Sequence, residues 1–272
     1  MVHTTRYFRI REKILLEVEK TSYLYYYYIV RSDKMKSKHL KQQSAVVVFS
    51  GGQDSTTCLG WAKQTFGKVI AISFNYGQKH SIELQQASKI AKMMEVEHYI
   101  MDVGLLSQLT PNALTRSDIE VIHSEDVVEG EEPNTVVRGR NGLFIWLASI
   151  YASTHGITNI VTGVCETDFS GYIDCRDQFI KSLNVAINLG LDEQITIHTP
   201  LMWLDKVETW QLAYEVGILD IVIKESHTCY NGDRSSLLGC QTCPACHLRN
   251  RALFEFAELN DIDLKIYGIE RE

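Results

Sequence analysis

Prolines are scarce in this chain, 4 in 272 residues, and glycines number only 17, so long disordered or low-complexity stretches are excluded. Membrane-length hydrophobic runs are missing. The one odd apolar stretch is SYLYYYYIV, residues 22–30, and its nine residues fall far short of the roughly 20 that cross a bilayer. Charged residues precede it and no small-residue cleavage site comes after it, which argues against a secretory signal. A cytoplasmic protein is expected. Two familiar phosphate-loop patterns are also lacking: neither G-x-x-x-x-G-K-[ST] nor G-x-G-x-x-G occurs.

Basic charge is lacking where a broad nucleic-acid surface would need it. Residues 1–43 carry ten Lys/Arg against four Asp/Glu, whereas the remainder carries 17 against 30. An acidic body excludes a wide polyanion-binding face, and the basic N-terminus reads as a solvated tail in preference to an RNA-binding arm. Residues 1–34 fit poorly with the remainder of the chain, and Met35 makes a plausible natural start. They are expected to be an appendage, with a docked extra strand or helix as the alternative. The expected organisation is a basic extension over 1–43, a main domain over 44–225, and a C-terminal module over 226–272 packed on that same domain.

What is present from Ser44 onward is regular alternation. Strands are predicted at 45–49, 69–74, 98–103, 159–163 and 195–198, and helices at 54–66, 81–94, 141–154, 174–189 and 207–216. Five strands alternating with helices imply a doubly wound parallel sheet with helices on both faces. The polar stretch 110–137 is predicted as a long functional or mobile loop.

The stretch VVVFSGGQDSTTCLGWA, residues 46–62, runs from strand through glycine turn to a hydroxyl-rich helix start. Free N–H groups and the helix dipole favour an anion there. Gly51 and Gly52 let the backbone curl, and Ser50, Ser55, Thr56 and Thr57 offer hydroxyls, with Phe49 and Gln53 completing the loop. Asp54 would repel phosphate and is better suited to Mg²⁺. The turn has no lysine, which suits attack at an α-phosphate with pyrophosphate leaving, rather than terminal phosphoryl transfer.

Four of the seven cysteines, Cys229, Cys240, Cys243 and Cys246, follow a C-x10-C-x2-C-x2-C pattern. In a reducing compartment this spacing reads as metal binding. Four thiolates with no open position describe structural Zn²⁺; an iron–sulfur cluster could use the same ligands and ranks second. His247 is expected to stay outside the ligand set, and Cys58, Cys165 and Cys175 to act as small apolar filler.

The run SGGQDS, residues 50–55, resembles the pyrophosphate loop of the PP-loop ATP pyrophosphatases. Together with FNYGQKH (74–80), GRN (139–141), GVCETDFSGYIDCRDQF (163–179), TPLMWLDKVETW (199–210), CYNG (from Cys229) and CPACHLR, it makes the chain resemble the 7-cyano-7-deazaguanine synthase family. The resemblance implies an adenine nucleotide alpha-hydrolase-like fold and a zinc-dependent, often homodimeric ligase. That ligase converts 7-carboxy-7-deazaguanine and ammonia to the nitrile through an amide, with ATP activating oxygen each time. Nothing resembles a glutaminase domain, so free ammonia or a separate donor is implied, and no nucleic acid or membrane partner is expected. Asp54, Ser55, Arg140 and Lys206 become candidate catalytic residues, and Phe74 could flank adenine, although a core strand end explains it as well. Glu166, Asp168 and Asp174 are candidates for reading the deazaguanine edge, and Phe169 or Tyr172 for stacking on it. Arg140 and Arg176 are either anion contacts or surface ion pairs, and Lys206 is either a charge neutraliser or an exposed helix-start lysine. The family's Val-Pro-Gly-Arg-Asn stands here as Val-Arg-Gly-Arg-Asn from Val137, so Arg138 takes the proline's place.

The rivals are another PP-loop enzyme, such as a tRNA thiolase, and a non-catalytic zinc module that binds ATP or RNA. The acidic body disfavours the first. The intact loop disfavours the second.

Overall fold

The structure is a computed structural model, and it describes residues 39–79, 82–126, 133–167 and 172–270. The stretch at 22–30, Asp168 and Phe169 lie outside the described residues. Residues 43–272 make one compact unit.

Five strands form one parallel sheet in the order β3-β2-β1-β4-β5. They are β1 (Ser44–Val48), β2 (Lys68–Asn75), β3 (Glu97–Asp102), β4 (Asn159–Val161) and β5 (Thr196–His198). Central β1 is a run of β-branched residues buried on both faces, as a covered parallel strand requires. The chain moves outward from β1 through β2 to β3, then returns to place β4 on the other side of β1. The order therefore reverses between β1 and β4, and the crevice beyond their carboxyl ends is where open α/β sheets bind ligands.

Helix α1 (Gln53–Thr65) follows β1, and α2 (Ile82–Met93) follows β2. A short α3 (Leu105–Leu109) comes after β3, and α4 (Arg140–Thr154) precedes β4. Further on lie α5 (Asp177–Leu191), α6 (Lys206–Glu215), α7 (Leu219–Glu225) and α8 (Pro244–Leu259). On one face, Val46, Ile70 and Ile72 of the sheet bury against Phe144, Ile145 and Ala148 of α4 and Ile180 and Ile187 of α5. Alternation along β1 turns Ala45 and Val47 to the opposite face. All five predicted strands are present, within two residues of their expected ends.

Two helix boundaries differ for physical reasons. The predicted helix from Asp174 begins at Asp177, after a 3-10 turn over Ile173–Cys175. Asp174 is drawn out of it because its carboxylate accepts from Asn141 N (2.9 Å) and Nδ2 (3.0 Å) at the start of α4. The predicted helix over 207–216 begins one residue earlier. Asp205 and Glu208 form a reciprocal capping box that fixes Lys206 as its first residue.

Candidate active site

The turn after β1 fills the switch point. Gly51 has φ +81°, and a Cβ there would lie 2.8 Å from the backbone nitrogen of Ala87 in α2. Only glycine meets both demands. The N–H groups of Ser50 and Gly51 converge on Ser55 Oγ at 3.2 and 3.1 Å, and Ser50 Oγ lies 3.0 Å from the same oxygen. A hydroxyl oxygen thus sits in a nest of donors at a helix N-terminus, the arrangement that accepts phosphate oxygens. Across the crevice, a Cβ on Gly163 would lie 3.2 Å from Ser55 N, so the chain leaving β4 packs directly on the first turn of α1.

Asp54 and Lys206 come from segments 152 positions apart. Lys206 Nζ donates to both Asp54 oxygens at 2.8 Å. Lys206 is mostly buried here, so the expectation of an exposed helix-start lysine is corrected. Arg140 is walled by aromatic rings, its guanidinium 5.7 Å from the ring centres of both Tyr76 and Tyr172. Its Nη1 is 3.4 Å from Tyr76 Oη. Among the described residues it forms no salt bridge, so the surface ion-pair alternative is set aside. Tyr172 Oη contacts Thr135 Oγ1 (2.9 Å) and Tyr230 Oη (3.3 Å), which fixes that wall. Half-buried Glu83 faces this cluster. Burial pushes its pKa up to about 7, with Arg140 opposing and Cys229 adding to the rise.

Other expected site residues have different occupations. Phe74 stacks on Phe144, with centroids 4.3 Å apart, and Phe49 meets His98 edge-on in the core. Both rings pack in the core, as the strand-end alternative for Phe74 describes. Thr57 is fully buried and donates its hydroxyl to Gln53 O at 3.0 Å, so it serves its helix. The Gln53 side chain is 1% exposed, and its two polar atoms, like Thr56 Oγ1, are buried without partners. Asp174 Oδ2 accepts from the backbone N–H of Asn141 at the start of α4, and Oδ1 from the Asn141 side-chain amide. Glu166 Oε2 accepts from Asp177 N (2.9 Å) and caps α5, while Arg176 is exposed at the same helix start. Acidic residues of the segment between β4 and α5 thus bond to N–H groups at helix N-termini.

Cys229, Cys240, Cys243 and Cys246 meet at one point, with all sulfurs within 4.8 Å of one another. A tetrahedral zinc with bonds of about 2.3 Å sets its sulfurs about 3.8 Å apart. The Cys240–Cys246 separation of 4.0 Å fits that edge, and all four thiols are free of disulfides. Cys243 caps α8 through its sulfur, and Pro244 opens the helix. Gly239 has φ +64°, and a Cβ there would meet Cys246 Sγ at 2.7 Å, so the loop closes only around glycine. His247 points to solvent, and Cys58 and Cys165 are buried outside the cluster, as expected.

One set of contacts had no signal in the sequence. The segment just before Cys229 lies on the glycine turn: His227 N donates to Gly51 O (2.9 Å), and Thr228 Oγ1 accepts from Gln53 N (3.2 Å).

A family model described as "Queuosine biosynthesis protein QueC" matches residues 44–257. The chain belongs to the QueC family. A 7-cyano-7-deazaguanine synthase from Clostridium novyi (strain NT) is 52% identical over 220 residues, covering 81% of this chain and 98% of that protein. One from Lysinibacillus sphaericus (strain C3-41) is 55% identical over 217 residues, covering 80% and 97%. Among solved structures, a 4-thiouridine synthetase–RNA complex with bound ATP aligns over 84% of this chain and 54% of that chain. At 13% identity and a TM-score of 0.44, that likeness carries no argument about QueC chemistry. No helix among the described residues of this QueC-family chain is long and apolar enough to cross a membrane.

Proposed function

We propose that this chain is a 7-cyano-7-deazaguanine synthase, an ATP-dependent ligase joining 7-carboxy-7-deazaguanine and ammonia and dehydrating the amide to the nitrile. The observation that carries the reading is identity above one half across nearly the whole length of relatives of that name. The geometry supports it. The Ser50–Ser55 nest suits a polyphosphate, and its N–H donors already surround one oxygen. ATP supplies the activation that a carboxylate, a poor electrophile, lacks. Arg140, enclosed by Tyr76 and Tyr172 and without a carboxylate partner among the described residues, is suited to hold the substrate carboxylate against flat apolar walls. Tyr172 offers the heterocycle a face, and Glu166 and Asp168 remain candidates for its amino and N–H edge.

Asp54 is the residue that would hold Mg²⁺, whose charge would offset that of the phosphates. Its oxygens now contact Lys206, so ion and ammonium compete for one carboxylate. The four cysteines would hold Zn²⁺ as a closed structural site. Free thiols in that cluster suit the cytoplasm. A homodimer is supported by Val185 and Leu189, exposed and four residues apart on one face of α5.

The test is mass spectrometry of a reaction holding purified protein, ATP, Mg²⁺, ammonium and 7-carboxy-7-deazaguanine. Nitrile with AMP is expected. Nitrile with ADP would refute attack at the α-phosphate. No product from folded, zinc-loaded protein would refute the activity.

A further inference from the structure

The double glycine of the phosphate loop does not hold itself. Helix α1 has Gly52 at its N-cap, which has no side chain to cap with. Its first N–H, that of Gln53, is taken by Thr228 Oγ1 at 3.2 Å, from 175 positions away. Threonine is an effective cap because its oxygen accepts what the helix cannot satisfy; here the cap is borrowed from another segment. The residue before it grips the other side of the turn. His227 N donates to Gly51 O at 2.9 Å, and His227 O lies 3.5 Å from where a Gly52 Cβ would be. Two consecutive residues therefore fix the peptides on both sides of Gly52, and the residue after them is Cys229, buried in the thiol cluster.

We propose that Thr228 is a positioning residue of the phosphate loop, and that the 227–228 strap ties the loop's affinity for its anion to the cysteine cluster. The loop's N–H groups can converge only if the glycine peptides are held, and glycine has the most conformational freedom to lose. A cap fixed by a neighbouring cross-linked segment removes that freedom before the anion arrives. Thr228 Oγ1 accepts from Gln53 N, so the hydroxyl oxygen is the group the cap depends on. The affinity half of the proposal rests on the nucleotide reading given under Proposed function; the cap itself does not.

The experiment compares the full-length, metal-loaded chain with Thr228→Val and Thr228→Ser. Amide hydrogen exchange of residues 50–57 is measured without nucleotide, and ATP binding by calorimetry. Loss of one hydrogen bond to a backbone donor corresponds to roughly a fivefold to tenfold change in an equilibrium. Thr228→Val is expected to speed exchange at Gln53 and weaken ATP binding by about that factor. Thr228→Ser should stay within about twofold of the parent on both. Zinc content and Tm should be unchanged in either variant. Unaltered exchange in Thr228→Val overturns the cap. Faster exchange with unaltered ATP binding overturns the positioning role. A serine variant as impaired as valine shows that the methyl group matters and not the hydroxyl, and a valine variant that loses zinc points to cluster damage; both overturn the proposal. A parent chain that binds no ATP overturns the nucleotide reading and the affinity half together, while exchange still decides the cap.

Discussion

At the scale of single residues, the site depends on places where only one side chain fits. Gly51 combines a left-handed backbone with a Cβ position 2.8 Å from Ala87 N. Gly51→Ala must therefore strain the turn and push α2 away, at a cost of roughly 2–4 kcal/mol. The expected result is a folded chain with lowered Tm and no measurable ATP binding, checked by thermal denaturation and calorimetry; wild-type ATP affinity would contradict the nest. The turn of SGGQDS was legible because glycines between a buried strand and a hydroxyl-rich helix start are what such a turn is built from. The roles of Glu166, Asp174 and Thr57 were not legible. A carboxylate that caps a helix and one that reads a ligand look alike in sequence, and so do a threonine facing an anion and one bonding its own helix. Thr228 left no signal because its partner is 175 positions away.

At the scale of elements, two histidines report on the sheet. His98 on β3 lies 2.7 Å from Ser73 Oγ and meets the Phe49 ring, and His198 on β5 packs against Trp61 and Phe66 with Nε2 3.0 Å from Asn159 Oδ1. Burial depresses both imidazoles below their ordinary value. The unfolded chain then binds these protons more readily. Stability is fully present above about pH 6.5 and is lost as pH falls from there toward the depressed folded values. Glu83 acts oppositely. Its folded pKa is raised to about 7, so its contribution weakens stability as pH rises from about 4.5 to about 7 and partly offsets the histidines in that window. Thermal melts between pH 5 and 8 should show Tm falling on the acid side more steeply in Glu83→Gln than in the parent. The fall should flatten in His98→Gln/His198→Gln. A Glu83→Gln curve parallel to the parent's would contradict the raised carboxyl pKa. Element order was readable because hydrophobic period and glycine punctuation recur with every βα unit. Helix starts moved wherever a cap partner came from a distant element, as Asp174 shows.

At the scale of the whole molecule, the cysteine cluster sits at the start of α8, where that helix joins the rest of the α/β unit. Cys243 is almost fully buried, caps α8, and belongs to a set whose sulfurs lie within 4.8 Å. Arg249, 4% exposed, carries the attachment inward: it stacks on Trp210 of α6 and donates to Leu237 O at 2.9 Å, bracing the loop that ends at Gly239. The spacing of the cysteines foretold their clustering but not what the cluster fastens, because α6, the 227–228 strap and the glycine turn converge only in three dimensions. Cys243→Ser should therefore act on folding before chemistry. It removes a thiolate ligand while leaving a hydroxyl that can still cap α8, and the coordination energy of a closed zinc site is folding energy. A loss of roughly 3–5 kcal/mol is expected, read at this size as about 10 °C in Tm, with zinc content falling in parallel. Chelation of the parent chain should reproduce both. Because the strap enters the cluster at Cys229, exchange protection of residues 50–57 should fall in step with zinc occupancy, before global unfolding. A zinc-free variant with parental Tm would refute the structural role of the cluster. One with lowered Tm but intact protection of the turn would leave the cluster as a clamp on α8 alone and break its link to the phosphate loop.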